Sequence, residues 1–580
     1  MAGRRSILSE ATAGAVTGLL AGVPVGTLMQ FQGMFADQGG AGASWAAFLA
    51  AATAVGAVLG VITEQRPHGL AAAVSGGALV GLLGWTVLAL TLAPLLHGAA
   101  PTWTVTAAAM TYRDLIAAVL HGALTGAALY GLRSSAWPPR PGAEQAPVAA
   151  LSRVVIVGGG FAGVSAAKRF ERLVLREVPV DVTVISDSNF LLFTPMLAEV
   201  ASSALEPAHI SSPVRSAVAH TRFQHGTVDD VDTAGRAVVM GDERIPYDHL
   251  VIAVGSVPSF LDLPGVAEHA FTMKDLADAT RLRDHVIGVL ERCDQLADPR
   301  ERARLLTFVV AGGGFAGAET VAELFDLVHG VLHLYPRITA DEPEFVLVHS
   351  RDRILPELSP ELGAYALARL QARGIRFRLG VRVSEAAHEG VRLSDGERLA
   401  TATFVWTAGT RPSPFVALLP AEQAGSGALV TDATLRVAGL DGVWAVGDCA
   451  QIPDVDQDGT PFPPTAQHAL RQGRVVADNI AATIAGGTPA AFRFRTIGVL
   501  VALGHRTAAA EIRGHHFSGF AAWLMWRGIY LAKLPGLEKR VRVLLDWLLD
   551  LAFSRDIVVT TDAKALESPA PLAGLDRRLR

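Results

Sequence analysis

Two glycine-rich turns of identical sequence, GGGFAG, lie at 158–163 and 312–317 of this 580-residue chain. Each follows a run of aliphatic residues and precedes a helical pattern. The three glycines of the GxGxxG motif are Gly158, Gly160 and Gly163 in the first copy, and Gly312, Gly314 and Gly317 in the second. In this motif the glycines allow a tight turn, a close approach of a pyrophosphate and close helix–strand packing. The chain is therefore predicted to bind two dinucleotides, one at the helix N-terminus that follows each turn.

Each turn needs a second strand whose end reaches the nucleotide ribose, and VDVTVIS (180–186) and EFVLVHS (344–350) supply these strands. An acidic residue usually ends this strand and binds the ribose 2′-OH. The first strand ends at Ser186, and Asp187 can take that role. The second ends at His349, and Arg351 follows. An arginine there could bind a 2′-phosphate, or it could simply be solvated, so NADH and NADPH both stay open as substrates.

Residues 1–135 are predicted to form a four-span transmembrane region. Their apolar runs cover 10–29, 44–63, 70–96 and 113–132, each near the roughly 20 residues that a membrane-spanning helix needs. The alternative is a set of buried core helices. Positive charges precede the first run, lie between the second and third, and follow the fourth. By the positive-inside rule, both ends of the bundle and everything after it are expected in the cytoplasm of a cell (inner) membrane protein.

Glycines recur every fourth residue in these runs, at Gly14, Gly18, Gly22 and Gly26, and again at Gly56 with Gly60, Gly77 with Gly81, and Gly122 with Gly126. Small residues at this spacing let helices approach closely. Packing within the bundle is the simpler interpretation, and a transport route is the alternative. His121 is the ionisable residue that stands out within the spans. The glycine faces could pair helices within one chain or between two chains of a homodimer.

The net charge of −5 and the two cysteines argue against a nucleic-acid-binding, disulfide-rich or cysteine-ligated metal protein. A slightly acidic chain gives no indication of nucleic-acid binding. Cys293 and Cys449 are far apart and form no CxxC, so neither a disulfide framework nor a metal site is expected.

Three further segments extend the pattern: HLVIAVGSVPS (249–259), ATFVWTAGTRPSP (402–414) and DGVWAVGDCAQIPD (441–454). With the two turns, they resemble the two-dinucleotide flavoprotein reductases, in which one unit binds FAD and an inserted unit binds NAD(P)H. The resemblance implies that Asp448 binds the flavin ribitol. It also implies that Gly255 and Gly409 lie at the crossings between the two domains.

Within that superfamily, residues 152–560 are most similar to type II NADH:quinone oxidoreductases, the non-pumping NADH dehydrogenases. NFLLFTPMLAEVAS (189–202) resembles their flavin-contacting segment, which includes Thr194 and Pro195 here. GGGFAGAETVAEL carries Glu319, which the resemblance places near the nicotinamide and flavin. PFPPTAQHALRQG (461–473) resembles their AQxAxQ quinone segment, with Ala466 and Gln467 in place but Arg471 where the family has its second glutamine.

The C-terminal stretch 519–553 resembles the membrane-binding region of that family. Its residues support this independently. Basic residues flank two apolar stripes, which are Trp523, Trp526, Tyr530, Leu531 and Leu534, followed by Leu544, Leu545, Trp547, Leu548 and Leu551. Such faces suit helices that lie in a membrane interface. The alternative is that both helices pack on the protein core.

The predicted fold is an α-helical membrane bundle followed by an α/β region with two Rossmann-like domains and C-terminal amphipathic helices. Its segments are a four-span region (1–135), a linker (136–151), an FAD-binding domain in two parts (152–270 and 409–498), an NAD(P)H-binding domain (271–408), a membrane- and quinone-side region (499–560) and a tail (561–580).

The predicted function is hydride transfer from NAD(P)H to FAD, followed by two-electron reduction of a membrane quinone without ion pumping. Glu319, Gln467 and Arg471 are the candidate catalytic residues, and the lipid bilayer and a membrane quinone are the expected partners. A disulfide reductase or a sulfide:quinone reductase would need cysteines that this chain lacks. A reductase for a protein acceptor, and a redox sensor that controls the N-terminal membrane module, remain as alternatives.

Overall fold

The computed structural model describes residues 7–31, 41–62, 70–96, 98–100, 110–135, 151–174, 178–218, 220–550 and 553–559. Residues 136–150 of the predicted linker and the whole predicted tail lie outside these residues. The chain divides into two compact units. The first is Met1–Val148 with Gly536–Val541, and the second is Ala149–Pro535 with Arg542–Arg580.

Long apolar helices form the described part of the N-terminal unit: α1 (Ile7–Phe31), α2 (Ala41–Ile62), α3 (Leu70–Val87) and α4 (Tyr112–Ser135). A π-helical turn, Leu88–Leu92, continues α3 into the short helix Ala93–Leu96. Three described segments are long and apolar enough to cross a membrane, namely Glu10–Phe31, Ala73–Leu95 and Tyr112–Leu132. The apolar part of α2, Trp45–Val61, is shorter. Length and composition thus support three candidate spans where the sequence predicts four.

The predicted glycine faces are helix contacts. In α1 and α2, a Cβ added to Gly56 would lie 2.3 Å from the Gly14 carbonyl oxygen. In α3 and α4, a Cβ added to Gly77 would lie 1.9 Å from the Gly122 carbonyl oxygen. These distances are far below van der Waals contact, so the helix pairs pack backbone to backbone and tolerate only glycine there.

The remaining helices are short or amphipathic: α5 (Phe161–Val174), α6 (Leu197–Ala201), α7 (Val214–Ala217), α8 (Val266–His269), α9 (Leu276–Gln295), α10 (Pro299–Leu305), α11 (Phe315–Val331), α12 (Pro360–Ala372), α13 (Ala466–Ile484), α14 (Gly519–Lys533) and α15 (Leu537–Asp550).

The strands, in chain order, are β1 (Ser152–Val157), β2 (Val180–Ser186), β3 (Phe190–Leu192), β4 (Ser211–Pro213), β5 (Arg222–His225), β6 (Asp230–Asp232), β7 (Ala237–Met240), β8 (Glu243–Pro246), β9 (His249–Ile252), β10 (Ser256–Pro258), β11 (Phe271–Thr272), β12 (Thr307–Ala311), β13 (Glu344–His349), β14 (Arg376–Leu379), β15 (Val383–Ala387), β16 (Gly390–Leu393), β17 (Arg398–Ala400), β18 (Thr403–Trp406), β19 (Thr410–Pro412), β20 (Leu429–Val430), β21 (Val443–Ala445), β22 (Ala450–Gln451), β23 (Gly498–Ala502), β24 (Ala508–Ile512) and β25 (His515–Ser518).

Two parallel sheets of five strands form the framework of the second unit. Their strand orders are β21-β9-β1-β2-β5 and β11-β18-β12-β13-β14. The last four residues of β1 and of β12 are all buried, because helices cover one face of each parallel sheet and a three-stranded antiparallel sheet, β6-β7-β8 or β15-β16-β17, covers the other. The apolar runs VVIV and FVV are therefore buried strands, and each positions the glycine turn that follows it.

The C-terminal region contains the antiparallel sheet β23-β24-β25, with α14 packed on it. Trp523, Trp526 and Leu534, which the sequence predicts on a membrane-facing stripe, are instead buried in the core. The exposed apolar residues of α14 include Phe520 and Leu524, on another face. The prediction that these three residues face the membrane is therefore wrong, because helical spacing identifies an apolar face without showing what covers it.

The second predicted stripe is divided. Trp547 of α15 is buried, whereas Leu544, Leu545 and Leu548 are exposed and Leu549 beside them is 55% exposed. Leu551 lies outside the described residues.

Candidate active site

The first glycine turn connects β1 to α5. Gly158 has a φ of +115°, and a Cβ there would lie 2.2 Å from the Ala253 carbonyl oxygen. A Cβ on Gly163 would lie 1.9 Å from the Gly158 carbonyl oxygen, so α5 packs directly on the turn. A Cβ on Gly160 would meet nothing within 4 Å. The turn therefore leaves an open, backbone-lined space at the N-terminus of α5, which suits a pyrophosphate.

The second turn repeats this geometry between β12 and α11. Gly312 has a φ of +116°, and a Cβ on Gly317 would lie 1.8 Å from the Gly312 carbonyl oxygen. At Gly314 the nearest atom to an added Cβ is a Glu357 carboxylate oxygen, at 3.6 Å. Both predicted turns thus have the same shape in the fold.

The residues at the ends of the second strands support the turns. The Ser186 hydroxyl lies 2.7 Å from where a Cβ of Gly159 would be. His349 Nδ1 accepts a hydrogen bond from the Gly313 N–H at 3.0 Å. Asp187 and Arg351, the residues predicted to reach the ribose, are exposed beyond the strand ends.

The electrostatics of His349 agree with its role as an acceptor. Desolvation by burial, and then the Arg351 charge, lower the pKa of His349. The imidazole is therefore neutral at physiological pH and carries its proton on Nε2, a buried atom that has no hydrogen-bond partner among the described residues.

The predicted crossings between the two domains pair with each other. Gly255 has a φ of +67°, and its carbonyl oxygen accepts from the Ser413 N–H at 3.0 Å. Ser259 N–H donates to the Gly409 carbonyl oxygen at 3.0 Å. Strands β10 and β19 run antiparallel between these glycines. The result is a two-stranded ribbon that joins the two parallel sheets.

Asp448 lies in a small polar cluster beside this ribbon. Its Oδ2 accepts from the Ser256 hydroxyl at 2.7 Å and lies 4.0 Å from Lys274 Nζ. Lys274 Nζ also donates to the Ser256 hydroxyl at 2.8 Å. Burial lowers the pKa of Lys274, while Asp448 opposes this effect. The cluster places a carboxylate where a sugar hydroxyl could bind.

Helix α13 carries the predicted quinone segment and packs on α5. Ala466 is its first residue, and Thr465 caps it by accepting from the His468 N–H. A Cβ on Gly473 would lie 2.2 Å from the Ala162 carbonyl oxygen. Gln472 Oε1 accepts from the Gly447 N–H at 2.9 Å, which ties the helix to the Asp448 turn. The segment is therefore held close to the first dinucleotide site.

The two predicted acceptor-side residues of α13 occupy different environments. Gln467 Nε2 donates to the Gly498 carbonyl oxygen at 2.9 Å. The Arg471 guanidinium lies over the Phe494 ring, 3.9 Å from its centroid, and donates to the Gln467 carbonyl oxygen at 2.8 Å. Burial, and then the Arg471 charge, lower the pKa of Lys533 on α14. Two positive charges therefore lie near each other at this side.

A chain of aromatic contacts leads from the first turn to α14. The Phe161 and Phe193 ring centroids are 6.0 Å apart, and those of Phe193 and Tyr530 are 6.1 Å apart. Thr194 and Pro195, the predicted flavin contacts, begin the 3-10 turn that follows Phe193. Thr194 is exposed there, so it is available to a ligand.

Glu319 projects from the first turns of α11. Its Oε1 accepts from the Ala502 N–H at 3.0 Å. Desolvation raises the pKa of Glu319 to about 8. Tyr530 is close enough that Glu319 raises the pKa of its phenol, after burial as the larger cause. Lys533 Nζ lies 5.6 Å from the centroid of the Tyr530 ring, so Glu319, Tyr530, Lys533 and Arg471 form one connected cluster.

Sequence reasoning did not single out Lys274 and Ser256 as site residues, and it placed Tyr530 only on an apolar stripe. It also missed Glu199 and Glu323, which lie close enough that the Glu323 charge raises the pKa of Glu199. Each meets its partners across long sequence separations. Glu323 offered one signal, since it lies four residues after Glu319 in the quoted motif.

The residues present fit FAD at the first turn and a nicotinamide dinucleotide at the second. The open space above Gly160 would receive the FAD pyrophosphate, and Asp448 would accept hydrogen bonds from the ribitol. Gly314 at the N-terminus of α11 offers the matching position for the second dinucleotide.

Two protein-family models match the chain. Residues 152–473 match the pyridine nucleotide-disulphide oxidoreductase family, and residues 497–556 match the NDH2 C-terminal domain.

Curated relatives also match the chain. The chain is 32% identical over 448 residues to the type II NADH:quinone oxidoreductase Ndh of Mycobacterium tuberculosis, which covers 73% of this chain and 94% of that protein. It is 30% identical to a probable NADH dehydrogenase of Dictyostelium discoideum, with 70% and 90% covered.

A solved structure of NDH2 from Plasmodium falciparum in complex with NADH superposes with a TM-score of 0.65 at 18% identity, over 70% of this chain and 100% of that one. This likeness supports the fold. The family match and the relatives show that the chain belongs to the type II NADH:quinone oxidoreductase family.

Proposed function

We propose that this chain takes a hydride from NADH or NADPH, using bound FAD, and reduces a membrane quinone. The observation that carries the proposal is the pair of backbone-lined dinucleotide sites in one unit, followed by a segment matching the NDH2 C-terminal domain. FAD, when bound, carries electrons in pairs between a nicotinamide and a quinone. The protein's part is to bind and orient both molecules and to move protons.

The nucleotide side is built from α11 and its turn. Gly312, Gly314 and Gly317 would bind the pyrophosphate, and Arg351 would meet the adenosine ribose. Glu319 would position the nicotinamide and hold a proton, because its carboxyl is neutral below a pKa of about 8. A neutral carboxyl can both donate a hydrogen bond and release a proton.

The acceptor side is built from α13 and α14. Gln467 offers an amide near the start of α13, and Arg471 and Lys533 supply positive charge. Positive charge favours the anionic oxygen that develops as a quinone is reduced. Arg471 stands where the family has a neutral glutamine, and its positive charge would stabilise that anionic oxygen.

The membrane attachment has two parts in this proposal. The N-terminal unit forms a four-span bundle, with α2 as its shortest span and both ends in the cytoplasm. The exposed apolar residues of α14 and α15 contact the lipid surface, because leucines that are half exposed or more, such as Leu524 and Leu545, gain by leaving water. The second unit then lies on the cytoplasmic side, with its domains bounded as the sequence predicts. The glycine faces pair helices within one chain, so a homodimer would use another surface.

The decisive experiment is NADH and NADPH oxidation by the detergent-purified full chain, with and without a short-chain quinone. We expect strong stimulation by the quinone. Flavin bleaching by the nucleotide without quinone stimulation would sink the quinone reductase proposal and favour a protein acceptor.

A further inference from the structure

A row of acidic side chains runs along one face of α11. Glu319, Glu323 and Asp326 are spaced at i, i+4 and i+7, which places them on the same side of the helix. The row spans about 10 Å along the axis, at 1.5 Å per residue. Carboxyls in a protein interior are costly to bury, so the row requires a physical reason.

The inner end of the row is the candidate site. Glu319 accepts from the Ala502 N–H and faces Tyr530 of α14. Glu323, one turn further along α11, adds to the rise in the pKa of Glu319.

The middle of the row is fixed by hydrogen bonds. Glu323 Oε2 accepts from the Ser202 hydroxyl at 2.7 Å and from Arg555 Nη2 at 3.1 Å. Arg555 also bonds the Ser202 carbonyl oxygen at 3.1 Å and lies 3.4 Å from Asp550 Oδ1. The Glu323 side chain is 8% exposed. Its carboxylate is thus buried but held in one defined position.

The outer end of the row reaches solvent. Asp326 Oδ1 pairs with Arg373, the residue that follows α12, and its Oδ2 accepts from the His505 N–H at 2.7 Å. The His505 side chain itself is exposed. Desolvation, and then the Glu323 charge, raise the pKa of Asp326, while Arg373 and Arg555 oppose this. A carboxyl with a raised pKa can exchange protons with water nearer to neutral pH.

Unpaired polar atoms gather on the elements around the row. Four buried side-chain atoms on or beside α6, α11 and α14 have no hydrogen-bond partner within the described residues: Glu199 Oε2, Ser203 Oγ, Thr320 Oγ1 and Arg527 Nε. Buried polar groups are normally satisfied, and ordered water is the usual partner where protein atoms are missing. The cluster indicates buried water beside the row.

Reduction of a quinone by a nicotinamide consumes a proton: NADH + H⁺ + quinone → NAD⁺ + quinol. The two electrons come from the nicotinamide, and the extra proton must come from water. A quinone that enters from the membrane is reduced away from bulk solvent, so the protein has to conduct that proton.

We propose that the face of α11 formed by Glu319, Glu323 and Asp326, with the water beside it, conducts this proton from the surface at Asp326 and His505 to the quinone. In each transfer an O–H bond breaks on the outer group and forms on the inner one. Glu319 gives its proton to the quinone oxygen and takes another from the row. The proposal rests on the proposed function.

The test uses the purified, FAD-containing full chain and the isosteric variants Glu323→Gln and Asp326→Asn. Glu342→Gln is the matched control, because Glu342 also pairs with an arginine, Arg302, at 2.7 Å, but away from α11. Rapid mixing measures flavin bleaching by NADH and flavin recovery on adding a short-chain quinone, in H₂O and D₂O.

We expect both row variants to bleach at the wild-type rate but to recover at least about tenfold more slowly, within the range typical of lost proton-transfer groups. Their solvent isotope effect on recovery should rise, and acetate or imidazole should restore the rate of Asp326→Asn. A purely structural role would not give rescue by a small weak acid. Glu342→Gln should match the wild type in every respect.

A second readout does not depend on turnover. The infrared carbonyl band of the protonated Glu319 carboxyl, identified by its loss in Glu319→Gln, should exchange with D₂O quickly in the resting wild type. It should exchange slowly in both row variants. If Glu323→Gln loses FAD, the exchange measured in Asp326→Asn, at the solvent end of the row, decides the test.

Unchanged recovery, no rescue and unchanged exchange would overturn the proposal. A wild-type protein that fails to recover with quinone would instead sink the proposed function, so the two failures are distinguishable.

Discussion

At the scale of single residues, environment decides what the site groups can do. Glu319 and Asp448 are both carboxyls of the second unit, yet their surroundings differ. Desolvation keeps Glu319 neutral up to a pKa of about 8, whereas Asp448 accepts from a serine hydroxyl and lies near a lysine. The first is therefore suited to handling protons and the second to binding sugar hydroxyls.

Glu319→Gln tests the first role. We expect the wild-type turnover of NADH with quinone to fall as the pH rises through about 8, because Glu319 then loses its proton. The variant should be slower by about 10²-fold and lack this fall, since an amide does not titrate. The measurement is the pH profile of turnover from pH 6 to about 9. An identical alkaline fall in the variant would show that another group titrates.

The same substitution has a stability consequence with a defined sign. In the folded chain Glu319 keeps its proton up to about pH 8. In the unfolded chain the pKa of Glu319 is near its ordinary value of 4.5. Its contribution to folding is thus fully present below about pH 4.5 and is lost as the pH rises through about 8. Thermal unfolding should show Glu319→Gln gaining stability relative to the wild type between pH 5 and about 8. A difference that is constant with pH would contradict the shift.

His349→Glu tests the nucleotide side. A carboxylate there would accept from the ribose 2′-OH of NADH and repel the 2′-phosphate of NADPH. The NADPH-to-NADH ratio of kcat/KM should therefore fall at least about tenfold, equivalent to roughly 1.4 kcal/mol. Arg351→Ala is the comparison, because it leaves the Gly313–His349 hydrogen bond in place. A change in this variant reports the loss of a phosphate contact and not the loss of support for the turn. An unchanged ratio in both variants would remove this strand end from nucleotide selection.

At the scale of elements, the sequence predicts those structures that are determined by residues close together in the chain. The strands VVIV and FVV, their glycine turns and the following helices could be predicted because each strand–turn–helix unit is contiguous. Asp448 and Gly255 could be placed by resemblance alone. The Lys274–Ser256–Asp448 cluster and the Arg555–Glu323 pair could not, because their members are brought together by sheet order and by a C-terminal segment that returns to α11.

The two C-terminal apolar stripes also show what the sequence leaves undecided. An apolar face at helical spacing predicts burial, and Trp523 and Trp526 are indeed buried. Periodicity does not say whether the protein core or a membrane covers them. That choice depends on β23–β25, which provide the surface for α14.

Helix packing in the N-terminal unit gives the prediction at this scale. Gly122→Ala would bring a Cβ to 2.1 Å from the Gly77 carbonyl oxygen and push α3 from α4. Overpacking of this kind costs about 1–3 kcal/mol. Gly131→Ala on the same helix is the control, since a Cβ there meets nothing within 4 Å. Thermal unfolding in detergent should show Gly122→Ala alone destabilised, with the flavin spectrum unchanged; equal behaviour of the two variants would contradict the close packing.

At the scale of the whole molecule, the two compact units are expected to have different roles. The match to the pyridine nucleotide-disulphide oxidoreductase family begins at residue 152, and the second unit begins at Ala149. The compact second unit contains both dinucleotide sites and the acidic row. We therefore expect a chain that starts at Ala149 to retain FAD and to reduce short-chain quinones with NADH. Loss of turnover with an intact flavin spectrum would make the N-terminal unit part of the quinone path.

The same truncated chain tests the lipid-facing surface. Leu545 and Leu549 are 52% and 55% exposed, and burying the remaining area of each in lipid is worth about 1 kcal/mol. Leu545→Glu with Leu549→Glu should lower its binding to phospholipid vesicles at least about tenfold, because two apolar contacts are lost and two charges are added. Leu418→Glu, a leucine 41% exposed elsewhere in the unit, should leave binding unchanged. If the double variant floats with vesicles as well as its parent, α15 does not face the membrane, and only the N-terminal unit holds the enzyme near its quinone.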